Sequence, residues 1–295
     1  MLRRAALGTL QTTAQVADLT ASLAGDTART ARFLRGWLEF ESRPSDIFVS
    51  SYPRSGTTWL LYIVHVLLHG GDSGFRHITD VAPWFERNLS LGRCRASDFA
   101  RTTGPRLFKS HLPLRWLPGG ARYIYVERDG RDVAVSYYHF YRSHLQYEGD
   151  FESFFDRFLR GKLQYGSWFK HRAGFRTLAE RADLLVLQYE SLLADLVCEM
   201  ARIATFCGLR YSTTRLNTLA ELCRFARMKE QQERFDHATG EDLQGRVAPG
   251  QFLRSGEKGG HHALLGPGQR AAFDARSATR LLRPDIELHL PAFLH

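Results

Sequence analysis

Lysine is the scarcest charged residue, five against thirty-five arginines, so the net charge of +9 is almost wholly guanidinium. A basic surplus of that size calls for an anionic partner such as a nucleotide, a lipid head group or a nucleic acid. The arginines are scattered, with no basic tail and no recognised nucleic-acid module, which sets nucleic acid aside. Cysteine is sparse too. Cys94, Cys198, Cys207 and Cys223 show neither metal-ligand nor disulfide-framework spacing, and read as buried thiols of a reducing, cytoplasmic compartment. No apolar run is long enough to span a bilayer. Residues 1–17 hold no acid, yet their positive start is not followed by the apolar core of a secretory signal.

What is present suffices for a sizeable core. With 295 residues, 44% hydrophobic and 24% charged, the simplest organisation is one large α/β domain over residues 46–295, with a helical extension over 1–45 packed against it. The extension is expected to be helical over 27–40, with Ala31, Leu34, Trp37 and Leu38 on one side and Arg29, Arg32 and Arg35 nearby. Such a face suits packing and, secondarily, peripheral contact with a membrane surface.

The chain is organised around residues 46–69. Ile47, Phe48 and Val49 form an apolar run of strand type, Tyr52 to Gly56 is a turn holding a proline and a glycine, and apolar residues from Thr57 onward continue for helical length. Strand, small-residue loop and helix point backbone amides and a helix N-terminus at an anion. The frame from Ser51 is not that of a nucleoside-triphosphate loop, G-x-x-x-x-G-K-[ST]: Ser51 fills the first glycine slot, Thr57 the lysine slot, and the loop's cation is Arg54. A kinase or NTPase is therefore disfavoured, and a non-catalytic nucleotide-binding protein is the other alternative.

Further along, Arg106-Leu-Phe-Lys-Ser-His-Leu-Pro113 reads as a second strand, with Lys109 and His111 two apart and so on one side of its end. Residues 70–105 read as irregular cover. Tyr123 to Val126 is a third strand and Asp132 to about Tyr141 a helix, with Arg128 at the junction and Ser136 inside the helix. A junction arginine and a hydroxyl suit a phosphate monoester; the alternative for Arg128 is an ion pair with Glu127 or Asp132. Leu184 to Tyr189 is a fourth strand, and helices are expected near 192–207, 212–225 and 267–282, with another starting at Tyr165. Glu230 to Pro249 is polar and aperiodic, as a mobile lid would be.

Tyr52-Pro-Arg-Ser-Gly-Thr-Thr-Trp59 closely resembles the 5′-phosphosulfate loop of the cytosolic-type sulfotransferases. Lys109-Ser-His111-Leu-Pro, Arg128 to Ser136 and Arg254-Ser-Gly256 match that family in the expected order, with weaker support from Gly166-Ser-Trp-Phe-Lys-His and Leu187-Gln-Tyr189-Glu. The resemblance implies an α/β fold with a central parallel sheet of about four to five strands flanked by helices. It also implies transfer of a sulfuryl group from 3′-phosphoadenosine 5′-phosphosulfate (PAPS) to a hydroxyl, less often an amine, leaving the bisphosphate PAP, without a metal. Carried over by position, Arg54, Ser55, Gly56, Thr57 and Thr58 hold the 5′-phosphosulfate. Arg128, Ser136, Arg254, Ser255 and Gly256 hold the 3′-phosphate. Trp59 and Phe225 sandwich adenine, with Tyr189 and Cys223 at its edge. His111 is then the general base, with Lys109 and Arg54 as the catalytic cations.

Arg54 stands where the family usually has lysine, and Ser255 where it has a second cation, a charge that Lys258 is placed to supply. The family's short dimerisation stretch is not recognisable in His262 to Arg270, which leaves the oligomeric state open. Trp84, Phe85, Tyr138, Phe140 and Trp168 are expected to line a pocket for a small or lipid-like alcohol.

Overall fold

The computed structural model describes residues 25–236, 253, 256 and 258–280. The chain runs through helix α1 (25–39), β1 (Ile47–Ser50), α2 (Thr57–His69), three short helices α3 (Ile78–Val81), α4 (Phe85–Leu91) and α5 (Ala96–Ala100), and β2 (Leu107–Ser110). It continues through β3 (Arg122–Glu127), α6 (Gly130–His144), α7 (Phe151–Arg160), α8 (Trp168–Arg176) and β4 (Leu184–Gln188). The last elements are α9 (Tyr189–Ala194), α10 (Leu196–Phe206), α11 (Thr213–Cys223), α12 (Phe225–Glu230) and α13 (Pro267–Arg280).

The four strands form one parallel sheet in the order β2-β1-β3-β4, with Ile47 opposite both Leu107 and Arg122. Successive side chains point to opposite faces, and here the two faces differ in chemistry. Ile47, Val49, Leu107, Ile124 and Val126 join the aliphatic core under α2, α10 and α11. Phe48, Phe108, Tyr123 and Tyr125 join an aromatic core with Phe33, Phe40, Phe85 and Phe99. All the strands are covered on both faces, as a parallel sheet requires. Their carboxyl ends deliver the loop at 51–56, the Lys109–His111 segment, Arg128 and Tyr189 to one edge.

Several boundaries differ from those expected. Residues 70–105 are not irregular: α3 starts with a capping box from His77 and Asp80, and Phe85 and Leu89 of α4 are buried. Helix α6 begins at Gly130 because the Asp129 side chain caps it, accepting from the Arg131 amide at 2.8 Å. Tyr165 and Gly166 both take positive φ, so Ser167 rather than Tyr165 opens α8. The expected helix at 192–207 begins already at Tyr189 and is broken at Asp195, which caps α10; that at 212–225 is broken at Arg224.

In α1 the buried positions are Phe33 and Gly36, with Leu34 and Trp37 packed behind them, while Ala31 and Leu38 face solvent. Gly36 lies so close to Leu89 that a Cβ would meet it at 2.6 Å. Trp37 donates to the Trp116 carbonyl (2.8 Å) and Arg32 to that of Ser90 (2.8 Å). The start of the expected lid is anchored: Arg234 holds Asp72 through both terminal nitrogens, at 2.7 and 2.8 Å, and Asp236 is buried. Residues 237–249 of that segment, and 1–24 of the extension, lie outside the described residues. All four thiols are unpaired; Cys207 and Cys223 are buried as expected, but Cys198 is exposed and Cys94 half-buried. No helix among the described residues is long and apolar enough to cross a membrane.

One ion pair fixes the entry to the sheet. Arg106, just before β2, donates to both oxygens of Asp46, just before β1, at 2.7 and 2.5 Å, and to the Glu41 carbonyl at 2.8 Å. Both side chains are buried. Removing one partner strands the other's charge, so Asp46→Ala is expected to cost about 3–5 kcal/mol in urea unfolding. A cost below about 1 kcal/mol would mean that water already solvates the pair.

Candidate functional site

The loop after β1 is shaped by two left-handed residues. Gly56 has φ 101°, and a Cβ on it would lie 2.6 Å from Cδ2 of Tyr189, so both backbone and space demand glycine. Arg54 has φ 69°, a conformation that costs a non-glycine residue of order 1–3 kcal/mol. Neighbours hold it there. Its Nε donates to Ser136 Oγ at 3.3 Å, its guanidinium lies 5.1 Å over the Phe140 ring, and its carbonyl accepts from Arg128 at 3.5 Å.

Gly56 leads into α2 without a side-chain cap, and the first turn holds no acid. Ser55, Thr57, Thr58 and Trp59 are all buried, and the Ser55 hydroxyl has no hydrogen-bond partner among the described residues. A buried helix start with uncapped amides beside an unmatched hydroxyl is what an oxyanion completes. These residues fit the 5′ end of PAPS.

At the end of β2, Lys109 and His111 are both buried. His111 Nδ1 lies 2.8 Å from the Ser51 carbonyl. A carbonyl only accepts, so Nδ1 carries the hydrogen, and in the neutral ring Nε2 is left with its lone pair. Burial drives the imidazole well below its ordinary value of 6.5, and neighbouring Lys109 adds to this. Trp84 and Tyr165 each meet the ring edge-on at 5.2 Å. His171, from α8, supports it from behind by donating to the His111 carbonyl at 3.1 Å.

The second half of the site gathers around Tyr189, at the end of β4. Its hydroxyl donates to the Gly256 carbonyl (2.9 Å), its ring meets Trp59 edge-on at 5.6 Å, and the Arg128 guanidinium lies 4.5 Å over it. Trp59 donates to the Cys223 carbonyl at 2.7 Å. Gly256, with φ 70°, sits so close to the Phe225 ring that a Cβ would meet it at 2.6 Å. Burial pushes the Cys223 thiol up to about 12, so it stays protonated. Trp59, Tyr189, Cys223, Phe225 and Gly256 are thus one contiguous group. Arg54 and Ser136, assigned to opposite ends of the nucleotide, touch each other. Arg254 and Ser255 lie outside the described residues. Lys258 lines a cavity of about 780 Å³ together with Arg128.

Three residues escaped the sequence reading. Glu86 bonds the segment that carries Lys109 and His111. Asp132 accepts from the Gly259 amide (2.8 Å), the His261 amide (3.0 Å) and His261 Nδ1 (2.9 Å), tying the glycine-rich loop to α6. Its pairing with Arg128 is longer, 3.9 Å, while Glu127 is taken by Arg172 and Arg176. Tyr165 adds the second aromatic edge. The one available signal was an acid inside the otherwise apolar Ala82-Pro-Trp-Phe-Glu86 run. Of the five aromatics expected around an acceptor, Trp84 and Phe140 border the site. Phe85 is fully buried against Phe40, Phe48 and Phe108; Tyr138 packs on Phe151 and Phe154, and Trp168 on Phe169 and Phe273. Among the described residues, no group of histidine, cysteine, aspartate and glutamate is arranged to hold a metal ion.

Residues 44–282 match the sulfotransferase domain family. Sulfotransferase 4A1 of Mus musculus is 37% identical over 209 residues, which are 66% of this chain and 72% of that one. Cytosolic sulfotransferase 1 of Danio rerio is 32% identical over 250 residues, 80% and 82% of the two chains. Among solved structures, retinol dehydratase in complex with retinol and PAP superposes with a TM-score of 0.71 at 26% identity, covering 87% of this chain and 88% of that one.

The buried histidines set a pH dependence. Burial holds His111 well below 6.5 and brings His171 and His65 down to about 4. The unfolded chain takes up these protons near 6.5 and the folded chain does not, so stability is full above that pH and is lost as pH falls toward 4. The urea midpoint is expected to be lower at pH 5 than at pH 7.5. Nitrogen NMR at pH 7 should show His111 neutral with its hydrogen on Nδ1; a cationic ring there would contradict the assignment.

Proposed function

Because the chain belongs to the sulfotransferase domain family, we propose that it transfers the sulfuryl group of PAPS, in line, to the hydroxyl of a small or lipid-like acceptor. The observation that carries this is the buried, uncapped start of α2 beside the unmatched Ser55 hydroxyl, set at the same sheet edge as Lys109 and His111. The 5′-phosphosulfate lies on the amides of Ser55 to Thr58. Arg128, Ser136, Gly256 and Lys258 would hold the 3′-phosphate, and Arg254 and Ser255, outside the described residues, are assigned to it by position in the sequence alone. Adenine stacks on Trp59 and Phe225, with Tyr189 and Cys223 at its edge.

His111 takes the acceptor's proton on Nε2 while the acceptor oxygen attacks sulfur and the bond from sulfur to the bridging phosphate oxygen breaks. Lys109 and Arg54 balance the negative charge that shifts onto the leaving bisphosphate. By analogy with phosphoryl transfer, positioning and charge stabilisation carry most of the rate. A low pKa leaves the imidazole unprotonated at neutral pH, as a base must be. The aromatic edges of Trp84 and Tyr165 beside His111 favour an apolar or aromatic alcohol. The retinol bound by the retinol dehydratase neighbour supports the same acceptor class. Likeness to a relative named cytosolic supports a cytoplasmic setting.

PAP at 100 times its Kd is expected to stabilise the chain by about 2.7 kcal/mol, read as a rise in melting temperature, while ATP with Mg²⁺ or an oligonucleotide gives little. A preference for ATP would favour a kinase. His111→Ala should lose turnover by about 10²–10⁴-fold and keep its affinity for PAP. Joint loss of affinity and rate would remove His111 from the role of base.

A further inference from the structure

Glu86 is fully buried beside the proposed reaction centre and has no part in the chemistry above. Its Oε1 accepts from the indole N–H of Trp84 at 2.7 Å and from the His111 amide at 2.8 Å, and its Oε2 accepts from the Ser110 hydroxyl at 2.9 Å. The side chain reaches from α4 to the end of β2, and two of its three donors are consecutive residues of the segment that carries the site. The third, Trp84, supports the ammonium directly: Lys109 Nζ lies 3.8 Å from the centre of its ring. Lys109 and Trp84 are also joined as a parallel bridge, with the Lys109 amide donating to the Pro83 carbonyl at 3.0 Å.

A buried ammonium deprotonates unless an anion keeps it charged. Around Lys109 stand Glu86 and Arg87 from α4, Arg54 from the loop after β1, His77 ahead of α3, and His111 on its own strand end. Burial pushes Lys109 well below its ordinary value, Arg87 and Arg54 push the same way, and Glu86 opposes them. Tyr165 also faces Glu86, but burial holds its phenol far above the usual value and hence neutral. Of these described groups Glu86 is the acid: burial raises its carboxyl above the ordinary value, and the bonds from the His111 amide, Trp84 and Ser110 oppose that rise and favour the carboxylate.

We propose that Glu86 is the positioning residue of the Lys109–His111 pair: its carboxylate fixes the strand end that presents both side chains and, as buried counter-ion, keeps Lys109 cationic. The consequence for turnover rests on the sulfuryl-transfer function proposed above. Glu86 does no bond-making; it acts through Lys109 and His111.

The test is Glu86→Gln, which keeps shape and removes charge. It is expected to lower kcat about 10–100-fold, as loss of an orienting partner does, with affinity for PAP changed less, because Glu86 bonds none of Trp59, Arg128, Ser136 and Phe225, to which most of the nucleotide is assigned. The alkaline limb of the pH profile, where Lys109 loses its proton, should move to lower pH. The acid limb should stay, since Glu86 meets His111 only at its backbone amide. Glu86→Asp keeps the charge and should leave the alkaline limb nearer its original place. An unmoved alkaline limb in Glu86→Gln, or a kcat close to that of the unaltered chain, would overturn the proposal.

A second measurement needs no turnover. Glu86→Gln alone strands a buried ammonium, so adding Lys109→Met should raise the denaturation midpoint above that of Glu86→Gln. A double variant no more stable than the single one would show that the two charges are not coupled, and would overturn the counter-ion role. Absence of sulfuryl transfer by the unaltered chain would count against the proposed activity and leave this stability result standing.

Discussion

Helix α2 starts inside the protein, and among the described residues no side chain caps the amides of its first turn. A helix N-terminus carries roughly half a positive charge, commonly met by a capping side chain or an early acid. Here the capping position is Gly56, and the first turn has no acid. The surroundings preserve the vacancy in the hydrogen-bonding scheme. Tyr189 fills the space a side chain at position 56 would take, and the same tyrosine anchors Gly256 and lies beneath Arg128. One aromatic residue at the end of β4 therefore keeps the α2 start open to an anion and positions the parts of the site that come from α6 and the C-terminal third.

Cations buried at such an edge repel one another, and the fold meets this with a few acids already committed to hydrogen bonds. Asp132 faces Arg128 while accepting from Gly259 and His261. Glu86 faces the Lys109 segment while accepting from Trp84, Ser110 and His111. An acid loaded with donors lowers the cost of the neighbouring cation without joining it in a close bidentate pair, so the field at the edge stays positive toward solvent. A tighter pair, such as that between Asp46 and Arg106 at the far end of the sheet, stabilises the chain but leaves little field for a ligand. The protein uses the two kinds of pair at opposite ends of the same strands.

Legibility in the sequence follows the range of the interactions. The sheet could be read because short apolar runs such as Ile47-Phe48-Val49 and Tyr123-Ile-Tyr-Val126 are local patterns, and parallel strands buried on both faces leave such runs. Lys109 and His111 were expected on one side for the same reason, since alternate residues along a strand share a side, and in the structure both meet the Trp84 ring. Breaks at Asp195 and Arg224 were missed because apolar residues continue through them, and only the caps show where one helix ends and another starts. Glu86 and Asp132 were invisible in their roles because, Trp84 apart, their donors come from far along the chain, 24 and 25 residues for Glu86 to Ser110 and His111, and 127 and 129 for Asp132 to Gly259 and His261. The aromatics failed for a related reason: helical spacing marks Phe85, Tyr138 and Trp168 as apolar but does not say which cluster receives them.

The aromatic edges around His111 carry a compromise. They exclude water from the imidazole, and that desolvation is the largest cause of its lowered pKa. A base of low pKa is unprotonated at working pH but accepts a proton with less driving force. It is therefore best suited to a proton that becomes acidic as the reaction proceeds, which describes a hydroxyl whose oxygen is already bonding to sulfur. In the proposed transfer, the same exclusion of water would strengthen the pull of Lys109 and Arg54 on charge moving to the leaving phosphate, because their fields are less screened. In the proposed reaction, what the site gives up in the strength of its base it would recover in the strength of its cations, and Trp84 meets both groups, standing edge-on to His111 and beneath Lys109.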